Sequence, residues 1–125
     1  MSEVTVKRIE DIEAYAGKNA IPGIKFRPVA RALGVTAWGM AVLEIERGTT
    51  GYFEHDHRED GQEEVYFVYG GSGTVLIDGR DELPVEMGQF VRVGPEHKRK
   101  FLPGPDGLML IAIGSTPGKA YEPRK

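Results

Sequence analysis

The sequence predicts an all-β domain, an antiparallel sandwich or small barrel. Three observations carry this. Turn signals recur about every ten residues, drawn from 17 glycines and 8 prolines that belong to no low-complexity repeat. Between them lie short β-branched and aromatic runs, roughly eight to ten of them. Helical periodicity, with apolar residues three and four apart, is nearly absent. A length of 125 residues suits one domain.

Taken in order, residues 4–9 alternate enough for a short edge strand. Residues 10–16 predict a helical turn, with Gly17 as its stop. Residues 19–26 read as a loop around Pro22-Gly23. Residues 27–34 fit either a strand or a helical turn. Residues 35–46 predict a strand with Val35, Ala37, Gly39, Ala41, Leu43 and Ile45 on one face, ended by a turn at 47–51.

The second half follows the same rhythm. Residues 52–57 form the next predicted strand, and 58–62 a charged, exposed loop. Residues 63–69 are the clearest strand, apolar on both faces and so expected to be covered on both. Residues 70–73 read as a tight turn. Residues 74–77, Asp78-Gly79 and the continuation from Arg80 make a hairpin. Residues 83–87, 89–93 and 97–102 predict short strands, divided by Gly88 and Gly94-Pro95. The cluster 103–107 reads as another turn before the wholly apolar strand 108–113, and the tail from Gly114 reads as irregular.

Composition excludes several function classes. The net charge is −3 and no basic block stands out, so neither nucleic acid nor an anionic membrane is an expected partner. Lys98-Arg99-Lys100 is the nearest approach, and a solvated strand end accounts for it. The absence of cysteine removes disulfides, thiolate nucleophiles and Cys-type zinc sites. No apolar run nears the ~18 residues of a membrane span, and no signal-peptide pattern opens the chain, so a cytoplasmic protein is expected. There is no phosphate-binding glycine loop and no Gly-x-Ser-x-Gly elbow.

Chemistry concentrates at His55-Asp56-His57 and the Gln62-Glu63-Glu64 entry to the following strand. In an extended chain, residues two apart share a face, so His55 and His57 converge while Glu54 and Asp56 point away. Imidazoles with a carboxylate are the usual donors for a borderline divalent metal. The plain alternative is a pair of exposed histidines at a strand end. Glu59, Asp60 and Glu63 read as a solvated acidic loop, Arg92 and Lys98 as surface charge, and Trp38, Met40 and Tyr66 as core residues or pocket lining.

The run His55-x-His57, Gln62-Glu63-Glu64-Val65-Tyr66-Phe67-Val68-Tyr69-Gly70-Gly71-Ser72-Gly73, then Asp78-Gly79 and Gly88-Gln89-Phe90-Val91-Arg92-Val93, resembles the cupin superfamily. It looks like a small single-domain bacterial cupin of the type-2 conserved barrel, matched over about residues 44–113. The resemblance implies an all-β double-stranded β-helix, or jelly-roll barrel, at about residues 35–114. Residues 1–34 would be an N-terminal extension with a short strand or helical turn, and 115–125 a tail. It implies a divalent metal (Mn, Fe, Ni or Zn) held by His55, His57 and Glu64. The interior of a small barrel suits a small-molecule ligand, and the apolar runs 63–69 and 108–113 leave surface that the partner subunit of a homodimer would cover. Six residues separate Glu64 from Gly71, as the family's glutamate is spaced from its glycine, and Glu64 shares its strand face with Tyr66 and Val68.

Two departures bear on that implication. The loop between His57 and Glu64 is longer than the family's minimal form. The family's third histidine falls at Arg99, and the nearest histidine is His97, two residues early. Either a deletion in the turn at 94–96 moves His97 into the ligand position, or the third histidine is lost and Arg99 enters the ligand pocket beside Tyr66. An arginine there would repel a dication and pair with a carboxylate or phosphate. The functions in play are a metal-dependent dioxygenase, isomerase or lyase, a metal-free small-anion binder using Arg99, and a structural homodimer.

Overall fold

The computed structural model of the chain describes residues 4–122. Six strands hydrogen-bond into one antiparallel sheet that curls into the jelly-roll expected. They are β1 (Ile24–Pro28), β2 (Gly39–Ile45), β3 (Glu63–Ile77), β4 (Asp81–Glu86), β5 (Phe90–Val93) and β6 (Arg99–Ser115). The order is β1-β2-β6-β3-β4, with β5 also paired to β3. A single helical turn, α1 (Val29–Leu33), links β1 to β2 and ends on Gly34 in the left-handed region at φ 81°. Among the described residues no helix is long and apolar enough to cross a membrane.

Several elements differ from their sequence readings. Residues 4–8 form no strand. Val4 and Val6 are exposed, so nothing rewards ordering them into one, and the first element is a 3₁₀ turn at Ile9–Asp11. Part of the expected loop at 19–26 belongs to β1, which pairs with β2 from Ile24↔Ile45 to Pro28↔Ala41. Of the predicted strand at 35–46, only Gly39–Ile45 is regular. Ala41, Leu43 and Ile45, on one face, are buried, and so is Val42 on the other.

The larger correction concerns the two glycine-rich turns. Strand β3 runs straight through residues 70–73, and β6 runs through Pro103–Gly107. The two stretches face one another, with Gly71 opposite Leu108 and Gly73 opposite Pro103, so Ser72 alone is matched by residues 104–107. What read as turns is a pair of facing irregularities that bend two long strands together. The hairpin at Asp78-Gly79 is as expected: both residues have positive φ (55° and 66°), and Arg80 N–H donates to the Ile77 carbonyl at 3.0 Å.

The core lies inside this curl. Tyr66, Val68, Val75, Phe101, Leu108 and Leu110 are all but completely buried. Burying each such side chain contributes about 1.5–3 kcal/mol. Tyr66 and Phe101 meet at a ring separation of 4.7 Å, and Tyr52 closes on Phe101 at 5.5 Å. The interior around the candidate site is therefore filled by side chains.

Candidate metal centre

Glu64 enters on the inward face of β3, two residues before Tyr66 and four before Val68, as the strand alternation required. The two histidines arrive differently. Residues 52–57 form no strand and touch the sheet edge by a single bridge, His55↔Arg99. Arg99 N–H donates to the His55 carbonyl at 2.9 Å and His55 N–H to the Arg99 carbonyl at 3.3 Å. His57 N–H donates to the Pro95 carbonyl at 2.9 Å. This extended run lies against the start of β6, and it brings the two rings to a centroid separation of 5.1 Å at 87°.

His55, His57 and Glu64 come together, each offering one donor atom within 4.8 Å of the others. His57 Nε2 lies 3.2 Å and His55 Nε2 3.7 Å from Glu64 Oε1. The remaining ring nitrogens are fixed from behind. His55 Nδ1 is 2.8 Å from the Phe53 carbonyl, and His57 Nδ1 is 3.0 Å from Asp60 Oδ1. Both partners are acceptors, so each Nδ1 carries the proton, and each Nε2 meets Glu64 as a lone pair or as a second N–H. Two oriented imidazoles and a carboxylate, held by such outer hydrogen bonds, fit a divalent ion such as Zn, Mn, Fe or Ni.

The structure does not bring His97 to this group. Its ring is about half exposed, with Nδ1 2.8 Å from Asp78 Oδ2 on the β3–β4 turn and Nε2 3.4 Å from Glu96 Oε1. Arg99 takes the inward position instead. Its side chain is completely buried, its Nη1 donates to Glu64 Oε1, and its Nη2 donates to the carbonyls of Gly94 and His97, each at 3.0 Å. Desolvating a guanidinium costs on the order of several kcal/mol, and these three acceptors offset it. Its Nε has no hydrogen-bond partner among the described residues.

Tyr66 completes the group: its hydroxyl donates to Glu64 Oε1 at 2.5 Å. Burial alone would raise the Glu64 carboxyl. Hydrogen bonds from His55, His57 and Tyr66 outweigh it and hold the group well below the usual carboxylate range. Burial pushes the hydroxyls of Tyr52 and Tyr66 up, so both stay neutral.

Sequence reasoning missed Asp60. It stands behind His57 and also accepts from Gln62, whose backbone N–H lies 3.2 Å from Oδ1 and whose side-chain Nε2 lies 3.1 Å from Oδ2. The available signal was its place three residues after a histidine, next to Gly61, whose φ of 70° lets the chain turn back with Gly61 N–H on the His57 carbonyl at 2.7 Å. Glu63 and Arg92 pair on the surface at 2.5 Å, in keeping with their reading as solvated charge. Trp38, read as core or pocket lining, is exposed instead.

Solved structures with the same architecture include proteins described as cupins. A cupin protein from Bacteroides fragilis superposes with a TM-score of 0.71 at 20% identity, over 100% of this chain and 93% of its own. A sugar phosphate isomerase of the cupin superfamily from Silicibacter pomeroyi gives 0.73 at 18%, over 89% and 75%. A protein described as a predicted oxalate decarboxylase, from Thermotoga maritima, gives 0.71 at 18%, over 90% and 99%. These likenesses establish the fold. No protein-family model and no curated protein sequence matches the chain.

Proposed function

The chain is a small cupin-fold domain, and from that premise we propose that it binds a divalent metal through His55, His57 and Glu64 and acts on a small organic molecule. The observation that carries this reading is the back-bonding of both imidazoles. Phe53 O and Asp60 fix the Nδ1 atoms, so both Nε2 atoms address Glu64. Bound there, a divalent ion would supply a Lewis acid that polarises a coordinated oxygen. The chain's own residues then have distinct tasks. Tyr66 and Arg99 keep Glu64 ionised and fixed in direction. The packed ring cluster of Tyr52, Tyr66 and Phe101 excludes water from behind the centre. Access is from the side of His55 and Glu64, which retain some exposure, with Phe53 stacked on His55 at 5.6 Å and 8° and itself 63% exposed.

The reaction class follows from the site less directly than the metal does. Dioxygenase, isomerase and lyase chemistry all use a metal with open positions, and the structural neighbours described as an isomerase and a decarboxylase support the breadth of that set. The deciding experiment is elemental analysis of untagged protein purified without chelator. Near-stoichiometric transition metal, lost in His55→Ala and His57→Ala, is expected. Metal-free protein that takes up no added ion would sink the reading.

One observation favours a second reading, a metal-free binder of small anions: among the described residues the buried Nε of Arg99 is a donor without a partner. Against it, Nη1 and Nη2 are already committed to Glu64 and two carbonyls. Titrating chelator-treated protein with phosphate or oxalate separates the two. Binding that disappears in Arg99→Met would support the anion site.

A further inference from the structure

Resting on the metal reading above, we propose that Arg99 is the resident counter-ion of Glu64. It holds the centre folded without metal and lowers the affinity of the centre for a divalent cation. Three features of the contact carry this. The guanidinium is anchored independently of Glu64, because Nη2 is held by the Gly94 and His97 carbonyls and the Arg99 backbone is bridged to His55. A fully buried side chain fixed at both ends does not swing aside to admit an ion.

The approaches of His55, His57, Tyr66 and Arg99 also converge on one oxygen, Oε1. A carboxylate oxygen offers about two lone-pair sites, fewer than the groups already directed at Oε1. A cation taking Oε1 must displace one of them. A cation taking Oε2 joins a carboxylate whose charge a guanidinium already offsets. Both routes weaken binding.

Finally, the pair solves a problem of the empty centre. A buried carboxylate facing two imidazoles would be uncompensated without a cation, and breaking up such a group is costly. Arg99 supplies the positive charge permanently. The chain therefore exchanges metal affinity for a metal-independent fold. Arg99 is in this sense a positioning residue that sets occupancy, acting through Glu64.

The test titrates Zn²⁺ and Mn²⁺ alone, by calorimetry, into chelator-stripped full-length protein and into its Arg99→Met and Arg99→His variants. Metal-free melting curves are recorded in parallel. Chelator should lower the melting temperature of wild type by less than it lowers that of metal-loaded Arg99→Met. Arg99→Met should bind metal at least ~10-fold more tightly, since it loses an adjacent like charge. Its metal-free form should melt lower and recover when metal is added. Should Arg99→Met fail to fold, Arg99→His carries the same comparison, with a neutral donor in place of the charge. Unchanged or weaker metal binding in the variant that folds overturns the inference, as does unchanged metal-free stability. If wild type takes no metal but either variant does, the inference stands and the metal reading of the native protein falls. If none of the three binds metal, releasing Glu64 creates no site and the inference falls as well.

Discussion

Glu64 and Arg99 meet as a partly buried ion pair although the sheet pairing sets them far apart. In the β3–β6 ladder Arg99 is opposite Ile77, thirteen residues further along β3 than Glu64. In a flat ribbon that offset is roughly 40 Å, at about 3.3 Å per residue. Their contact requires the β3–β6 ribbon to fold back on itself. The facing irregularities at residues 68–73 and 103–108 supply the bend. The chemistry of the centre thus depends on glycines well away from it.

Breaking the pair from the carboxylate side should be costly. Glu64→Leu removes the Nη1 acceptor and leaves Arg99 buried with only two carbonyl partners. An uncompensated buried charge costs about 3–5 kcal/mol. Urea unfolding of metal-free protein should show most of that loss, and Glu64→Leu combined with Arg99→Met should recover part of it. A double variant as unstable as the sum of the singles would show that the two residues do not stabilise each other.

The bend makes a contrasting prediction for two glycines of similar backbone conformation. Gly71 and Gly79 have φ of 70° and 66°, yet a Cβ on Gly71 would lie 2.1 Å from the Gly107 carbonyl oxygen, whereas Gly79 has open space. Gly79→Ala should cost only the left-handed conformational penalty, about 1–2 kcal/mol. Gly71→Ala should cost several kcal/mol more or prevent folding, because backbone must move on both strands. Equal losses in thermal unfolding would contradict this account.

The same bend marks the limit of what the sequence made legible. Alternation along 63–69 placed Glu64, Tyr66 and Val68 inward, and Asp78-Gly79 announced its hairpin, because both signals are local. Gly70–Gly73 and Pro103–Gly107 carry equally strong turn signals, but each is spent on a bulge facing the other, a pairing across some thirty residues. The choice between His97 and Arg99 was of this kind too. Two residues on one strand face read alike until the bridge to His55 fixes which of them turns into the interior. Asp60 looked like one more solvated acid, since only the folded loop sets it behind His57.

Acid should weaken the β3–β4 turn through Asp78. A hydrogen bond from His97, and then one from the Lys98 backbone N–H, lower its carboxyl below the ordinary 3.8. A depressed folded value means stability that is present above about pH 3.8 and lost as pH falls through the folded value. Asn tolerates the φ of 55° at this position but lacks the charge. Asp78→Asn should therefore unfold at lower urea than wild type at pH 6, and the gap between the two midpoints should narrow as pH falls below about 3.8. A gap that persists undiminished at pH 3 would assign the effect to turn geometry.

Asp60 gives the sharpest check on the metal reading that leaves the three donors untouched. Its carboxylate accepts from His57 Nδ1 at 3.0 Å and organises the loop by accepting from Gln62. Outer partners of this kind set the tautomer and basicity of a ligating imidazole, and losing one costs about 10–100-fold in metal affinity. Asp60→Asn keeps the shape and the bond to Gln62 N–H but removes the charge that strengthens His57 as a donor. Calorimetric titration with Zn²⁺ should show the affinity falling within that range while the melting temperature of the metal-free protein moves little. The opposite pattern, in which the fold weakens and metal affinity is unchanged, would make Asp60 a brace for the loop and remove His57 from the donor set.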